Sequence, residues 1–290
     1  MRCAAFTGLA AVLVAGLVWA QDFSEIKFEV LARGYSFTEG PAWSKDGYLV
    51  FSDTPSDRLL KWVPGHEIEV LRTDAGGPSG NAFDAQGRLY TCETRRRRVT
   101  RTDKDGMTTV LAEKWEGKRL NAPNDVTVSK AGNVYFTDPA FGYQSDHREL
   151  DFYGVYHIPL KGAMKLVAKP AGRPNGVALS PNGRILYVVN SDEKNVRAYD
   201  VDRNGDTANE RVLIAGIAGV PGGVRVDERG NLYVAARGVL VFSPEGKLIH
   251  TIEMHEPPSN CGFGELDYKT LFITTRGMVY RARLDVRGGN

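Results

Sequence analysis

One strand-turn-strand unit recurs six times along this chain, and that repetition limits the fold more than any other feature. The unit opens on a short polar turn, often with proline. An alternating strand of about five residues follows, then a turn with glycine, then a second, more apolar strand. Pro123-Asn-Asp-Val-Thr-Val-Ser-Lys-Ala-Gly-Asn-Val-Tyr-Phe-Thr-Asp138 and Pro174-Asn-Gly-Val-Ala-Leu-Ser-Pro-Asn-Gly-Arg-Ile-Leu-Tyr-Val-Val-Asn190 show it clearly. It returns at Pro78–Tyr90 and Pro221–Val234, and with more drift at Thr38–Phe51 and Pro258–Ile273. The six starting residues lie 40, 45, 51, 47 and 37 positions apart. A period in the forties with this content is one four-stranded blade per repeat, which predicts an all-β, six-bladed β-propeller. An open sandwich has no reason to repeat one unit six times.

Two more strands follow each pair: Arg58–Trp62 and Ile68–Leu71 in the first unit, Val99–Thr102 and Thr108–Leu111 in the second. The last unit ends after its third strand, near Val279–Leu284, while the alternating segment Ile26–Leu31 stands ahead of the first. That N-terminal strand can complete the last blade, closing the ring and removing two free sheet edges.

The first twenty residues differ from the rest. Arg2 precedes an apolar run, Leu9–Trp19, that ends at the small residue Ala20. This predicts a signal peptide over 1–20 with cleavage before Gln21, and hence an exported, periplasmic or extracellular protein. An uncleaved anchor is the alternative, but the run is short for a bilayer span. The expected domain is 21–290. It holds 36 basic against 35 acidic residues, so no overall field recruits nucleic acid or an anionic membrane. A monomer is expected. The run Arg95–Arg98 reads as a solvated hairpin turn, with a specific anion site as the lesser alternative, and Cys92 and Cys261 as two buried free thiols, with a disulfide as the lesser alternative.

In such a ring the inner strand of each blade starts at one mouth of the central channel, and the second strand ends there. The residues after the unit starts are Glu39, Ser79, Asn124, Asn175, Gly222 and Ser259. The expected second-strand ends are Asp53, Glu93, Asp138, Asn190, Arg237 and Arg276. These positions differ from blade to blade, as a site does and a scaffold does not. A glutamate and two asparagines converging on one axis suit a hard divalent cation, above all Ca²⁺. The asparagines also admit a plainer reading, as turn residues that satisfy backbone.

The same residues carry a family resemblance. It runs through Glu39-Gly-Pro-Ala-Trp43, Phe51-Ser-Asp53, Gly87-Arg-Leu-Tyr-Thr-Cys-Glu93, Arg98-Val-Thr-Arg101, Arg119-Leu-Asn-Ala-Pro-Asn-Asp125, Tyr135-Phe-Thr-Asp-Pro139, Pro174-Asn-Gly176 and Asn260-Cys-Gly-Phe-Gly264. Over nearly the whole chain after residue 20, this resembles the gluconolactonase and regucalcin (senescence marker protein) family, which includes diisopropyl-fluorophosphatase. The resemblance implies a six-bladed propeller that hydrolyses sugar lactones around a divalent cation at the channel mouth. It implies Glu39 and Asn175 as metal ligands and Asn124 as a ligand or substrate contact. Arg119 and Asn121, in the motif of Asn124, are assigned with it to substrate. One position departs: the family usually has Pro-Asp-Gly where this chain has Pro221-Gly222-Gly223. That aspartate is both ligand and favoured base, so its loss leaves one carboxylate for the cation and no obvious base.

Lactone opening needs a polarised carbonyl, an activated water and a stabilised tetrahedral oxyanion. Asp138 and Asp53, at strand ends on the mouth face, are the candidate catalytic acids, with Asp125 beside them. The segment from Pro139 to Asp151, with Phe141 and Tyr143, suits a lid over a sugar ring as well as it suits blade packing. Tyr143 is assigned there as a substrate contact, and His147 is the candidate proton carrier. Two function classes follow: a metal-dependent lactonase, or a non-catalytic propeller that binds a small ligand or partner at the same face, which Gly222 favours.

Overall fold

The computed structural model describes residue 23 and residues 26–289. The signal segment expected over 1–20, with its cleavage point, lies outside the described residues. Six four-stranded antiparallel sheets follow one another along the chain, with one short ladder, Lys114–Trp115 against Lys118–Arg119. The fold is the six-bladed propeller that the repeat implied.

The inner strands are Thr38–Ser44, Pro78–Phe83, Val126–Val128, Pro174–Leu179, Val224–Val226 and Asn260–Gly264. Their composition follows from crowding at the axis. A Cβ on Gly40 would sit 2.3 Å from the Ser79 carbonyl oxygen, and one on Gly262 would sit 2.2 Å from that of Pro41. The second strands are covered on both faces by neighbouring blades, so they read as nearly continuous apolar runs. Leu49, Val50 and Phe51 are all fully buried, as are Tyr233, Val234 and Ala235. Outer strands such as Glu69–Thr73 are mostly exposed, and they mix polar residues with exposed aliphatic ones such as Val70 and Leu71.

The core is divided among the blade boundaries. One apolar cluster lies at each of the six, including the boundary between last and first blades, where Phe272 and Val279 pack on Trp43 and Phe51. Trp43 stacks on Phe272 with ring centroids 5.7 Å apart. Ring closure therefore uses the same apolar packing as every other joint.

The closing strand is Phe28–Arg33, two residues further along than the alternation suggested, and it pairs antiparallel with Met278–Arg283. A second difference concerns the last two blades. Their second strands stop at Ala235 and Thr274, so Arg237 and Arg276 lie in the turns that follow rather than at strand ends. In both blades the turn signal was placed too late in the sequence. Cys92 and Cys261 are buried and free. No helix among the described residues is long and apolar enough to cross a membrane.

Thr38 fastens the closure from within. It is fully buried, its Oγ1 donates to the carbonyls of Thr275 (2.9 Å) and Met278 (2.8 Å), and it accepts from Thr275 N (3.2 Å). Thr38→Val keeps the shape and removes the hydroxyl, so it should lower unfolding free energy by about 1–3 kcal/mol, while Thr38→Ser should retain most of it. Urea midpoints at constant m-value check this; equal midpoints for wild type and Thr38→Val would show that the clasp contributes nothing.

Candidate functional site

Glu39, Asn124 and Asn175 line one cavity of about 380 Å³ at the end of the channel where the inner strands begin. Phe37, Ser79, Thr54, Thr94, Ala122, Phe141 and Gln144 complete its walls. Four blades contribute the three oxygen-bearing side chains and Ser79, each at or, for Asn124, two residues before the start of its inner strand. This is the convergence that repeat register predicted.

The three side chains are held with oxygens to spare. Glu39 Oε2 accepts from Gly40 N (3.0 Å) and from Asn260 Nδ2 (3.1 Å), which leaves Oε1 without a hydrogen-bond partner. Asn175 Nδ2 donates to Ser191 Oγ (3.1 Å), which fixes the amide and leaves Oδ1 uncommitted. The Asn124 carboxamide has no hydrogen-bond partner among the described residues, while its backbone N donates to Thr137 O (2.9 Å). Burial, and next the charge of Asp125, push the Glu39 carboxyl up to about 7. One carboxylate and two amide oxygens, facing one cavity and short of partners, form a donor set that fits a hard divalent cation. Such an ion takes roughly six to eight oxygens, so water or substrate oxygens would supply the balance.

Next to Glu39 lies a buried ion pair that sequence reasoning did not find. Asp125 is buried; its Oδ1 accepts from Val126 N (3.0 Å), and its Oδ2 accepts from Val177 N (3.2 Å) and Arg225 Nη1 (3.2 Å). The signal was present: Arg225 is the one charged residue in the inner strand Val224–Val226. On the far side of the pair a separate cavity of about 290 Å³, lined by Arg225, Trp43, Phe263 and Gly289, opens toward the hairpin ends.

The strand-end aspartates have a different task from the catalytic one expected of them. Asp138 Oδ1 accepts from Ala122 N and Oδ2 from Asn121 N, both at 2.8 Å. Asp53 Oδ1 accepts from Ser36 N (3.1 Å) and Phe37 N (3.0 Å). Each thus ties the segment entering its blade to the end of the second strand. Both are buried and neither lines the cavity with Glu39. Burial raises the Asp138 carboxyl to about 7, against the pull of its two amide donors. A carboxylate committed to backbone in this way is a staple, not a base presented to cavity water.

The expected substrate contacts divide. Asn124 lines the cavity. Asn121 does not: its Nδ2 donates to Asp138 O (3.1 Å) and Phe152 O (2.9 Å), inside the packing of the third blade. Arg119 lines a neighbouring cavity with His147. Tyr143 lies on the 3₁₀ helix Gly142–His147, and its side chain is outside the described residues. The segment does reach the site, through Phe141 and Gln144.

Gly222 has a steric reason. A Cβ there would meet the Ser259 carbonyl oxygen at 2.4 Å, and one on Gly223 would meet Asn260 Oδ1 at 1.9 Å. The glycine pair thus makes room for the sixth blade and for the Asn260 carboxamide that orients Glu39. Gly222→Asp is therefore no simple restoration of a ligand, since it must first displace backbone.

Over residues 37–277 the chain matches the family described as SMP-30/Gluconolactonase/LRE-like region. It is 34% identical to a gluconolactonase of Zymomonas mobilis, over 90% of this chain and 82% of that protein. It is 26% identical to regucalcin of Danio rerio, over 87% of each. Among solved structures, a gluconolactonase from Xanthomonas campestris superposes with a TM-score of 0.83 at 34% identity, covering 90% of both chains.

The buried pair under the site yields a direct test. Arg225→Met leaves Asp125 charged and unpaired in the channel, which should cost roughly 3–5 kcal/mol. Adding Asp125→Asn should recover most of that loss, because the amide oxygen still accepts a backbone hydrogen bond. Urea unfolding of the single and double variants measures the coupling. Additive losses would show that the two groups do not act as a pair.

Proposed function

The chain belongs to the SMP-30/gluconolactonase/LRE-like family, and from that premise we propose that it is a lactone hydrolase acting on sugar lactones at the channel mouth. The observation that carries this is the cavity where Glu39, Asn124 and Asn175 offer three uncommitted oxygens. The 34% identity with the Zymomonas gluconolactonase supports the reaction class. We further propose that these three residues hold a divalent cation, Ca²⁺ by its fit to oxygen donors. When bound, such an ion acts as a Lewis acid toward a carbonyl oxygen.

The protein's own contribution is placement. Phe37 and Phe141 give the cavity apolar walls suited to the face of a sugar ring. Thr54 and Thr94 spend their hydroxyl protons on Pro78 O (2.6 Å) and Gly77 O (2.8 Å), so each presents lone pairs to substrate hydroxyls. Gln144 adds an amide, and Ser79 a hydroxyl. The buried Asp125–Arg225 pair lies next to Glu39 on the channel side of the cavity. Among the described residues Glu39 is the one ionisable group lining the cavity, so proton transfer there falls to its carboxyl or to water.

Two measurements test the reading together. With gluconolactone in a pH-indicator assay, a chelator should abolish turnover and added Ca²⁺ restore it. Glu39→Gln should lower kcat/KM by about 10²-fold or more and weaken calcium binding in a titration. Full activity in chelator would remove the metal from the proposal. Absence of hydrolysis with any lactone, in calcium-loaded protein, would leave the non-catalytic ligand-binding alternative.

A further inference from the structure

A larger cavity, about 750 Å³, adjoins the one around Glu39, and Thr54, Thr94 and Gln144 line both. Its ionisable lining is Arg95, Arg97, Arg119 and His147, with no carboxylate among its lining residues. The hairpin turn expected at Arg95–Arg98 is present between Leu89–Glu93 and Arg98–Thr102, but Arg97 within it is not solvated. Arg96 and Arg98 face away, toward Asp74 and Glu93. Arg97 is buried, with positive φ (59°), and is held by backbone carbonyls.

The charges in this cavity are only partly answered. Arg97 Nε donates to Leu120 O (2.6 Å), Nη1 to His147 O (3.3 Å) and Nη2 to Arg119 O (3.4 Å). Carbonyls satisfy its hydrogen bonds without cancelling its charge, and its one carboxylate, Glu149, lies at 3.4 Å. Burial and then the Arg119 charge hold the Arg97 guanidinium below its usual range. The Arg119 guanidinium donates to Arg96 O (3.0 Å) and pairs with no carboxylate among the described residues, while its backbone N donates to Glu149 Oε2 (2.9 Å). Arg95 pairs with Asp57 at 2.9 Å, yet its side chain is 53% exposed. Guanidiniums brought together from a turn and from the ladder strand Lys118–Arg119 gain most from an anion between them.

We propose that this cavity is a subsite for an anionic substituent on the substrate, a carboxylate or phosphate ester borne on the carbon chain. Arg95 and Arg119 bind the anion, Arg97 fixes the loop beneath it, and the lactone ring occupies the joined cavity beside Glu39, Asn124 and Asn175. The inference rests on the lactonase reading. It extends that reading from sugar lactones to acidic ones. A neutral polyol arm would leave the guanidiniums facing hydroxyls that the threonines and Gln144 already serve. The same charges would steer an acidic substrate to the mouth.

The test compares three substrates: gluconolactone, the same lactone phosphorylated on its terminal hydroxyl, and the same lactone oxidised there to a carboxylate. Wild type should favour one acidic lactone over the neutral one by about tenfold or more in kcat/KM at low salt, with the preference shrinking as salt rises. The favoured acid identifies the substituent. Arg119→Gln and Arg95→Gln should each reduce the acidic-to-neutral ratio several-fold. A wild-type ratio near one, or a ratio unchanged in Arg119→Gln, overturns the subsite and leaves the lactonase reading standing. Calorimetry with glucitol and its terminal phosphate separates the other failure. Phosphate-dependent binding that Arg119→Gln abolishes, with no lactone hydrolysed, supports the subsite and overturns the lactonase reading.

Discussion

The propeller depends on hydroxyls and amides that reach across blade boundaries near the axis. Ser52 Oγ donates to Ser79 O (2.7 Å), Thr137 Oγ1 to Asn175 O (2.5 Å) and Ser259 Oγ to Thr38 O (2.7 Å). Backbone amides do the same: Gly80 N to Asn124 O (2.7 Å), Gly176 N to Gly222 O (3.1 Å) and Gly223 N to Ser259 O (2.9 Å). Inner strands of neighbouring blades belong to different sheets, so their carbonyls at the mouth have no ladder partner. Left unpaired and buried, each would cost about 1–3 kcal/mol. The cross-blade bonds remove that cost, and they demand close approach, which accounts for glycine at 40, 80, 176, 222, 223 and 262. Because they fix the carbonyls of Asn124 and Asn175, the same bonds set where those side chains can point.

The fold was legible because its signal is written six times, so errors of register in single blades do not accumulate. They did occur where a glycine turn came earlier than its counterparts, which put Arg237 and Arg276 at strand ends that belong to Ala235 and Thr274. The cavity residues were legible for a related reason: the position after each unit start is fixed by register, and Glu39, Asn124 and Asn175 share it. The roles of Asp53, Asp138 and Asn121 were not. Position places a carboxylate on a face, but hydrogen-bond demand decides its use, and here the amides of Ser36, Phe37, Asn121 and Ala122 claim both aspartates. Nor could sequence join Arg95, Arg97 and Arg119, whose juxtaposition depends on a turn and a ladder meeting in space.

Charge along the axis has its own order. Glu39 stands nearest the mouth, Asp125 beneath it, and Arg225 beneath that at 3.2 Å from Asp125. Arg225 answers Asp125, which leaves Glu39 as the uncompensated group, and burial near Asp125 makes its ionised form costly. A bound cation would meet that cost directly. The glycine pair at 222 and 223 contributes by leaving room for Asn260, whose amide holds one Glu39 oxygen and leaves the other to the cavity.

The closing strand carries a consequence for assembly. Phe28 pairs with Ala282, residues near opposite ends of the chain. At roughly 5–20 residues per second of synthesis, about 250 residues between them correspond to a wait of some ten seconds to a minute. Five blades can form from neighbouring segments during that time, because their strands follow one another in sequence. The sixth cannot, because the edge at Met278–Arg283 is covered only by Phe28–Arg33, from before the first blade. Closure of this ring is thus the one pairing in the six sheets that order along the sequence cannot supply, and it joins strands about 250 residues apart.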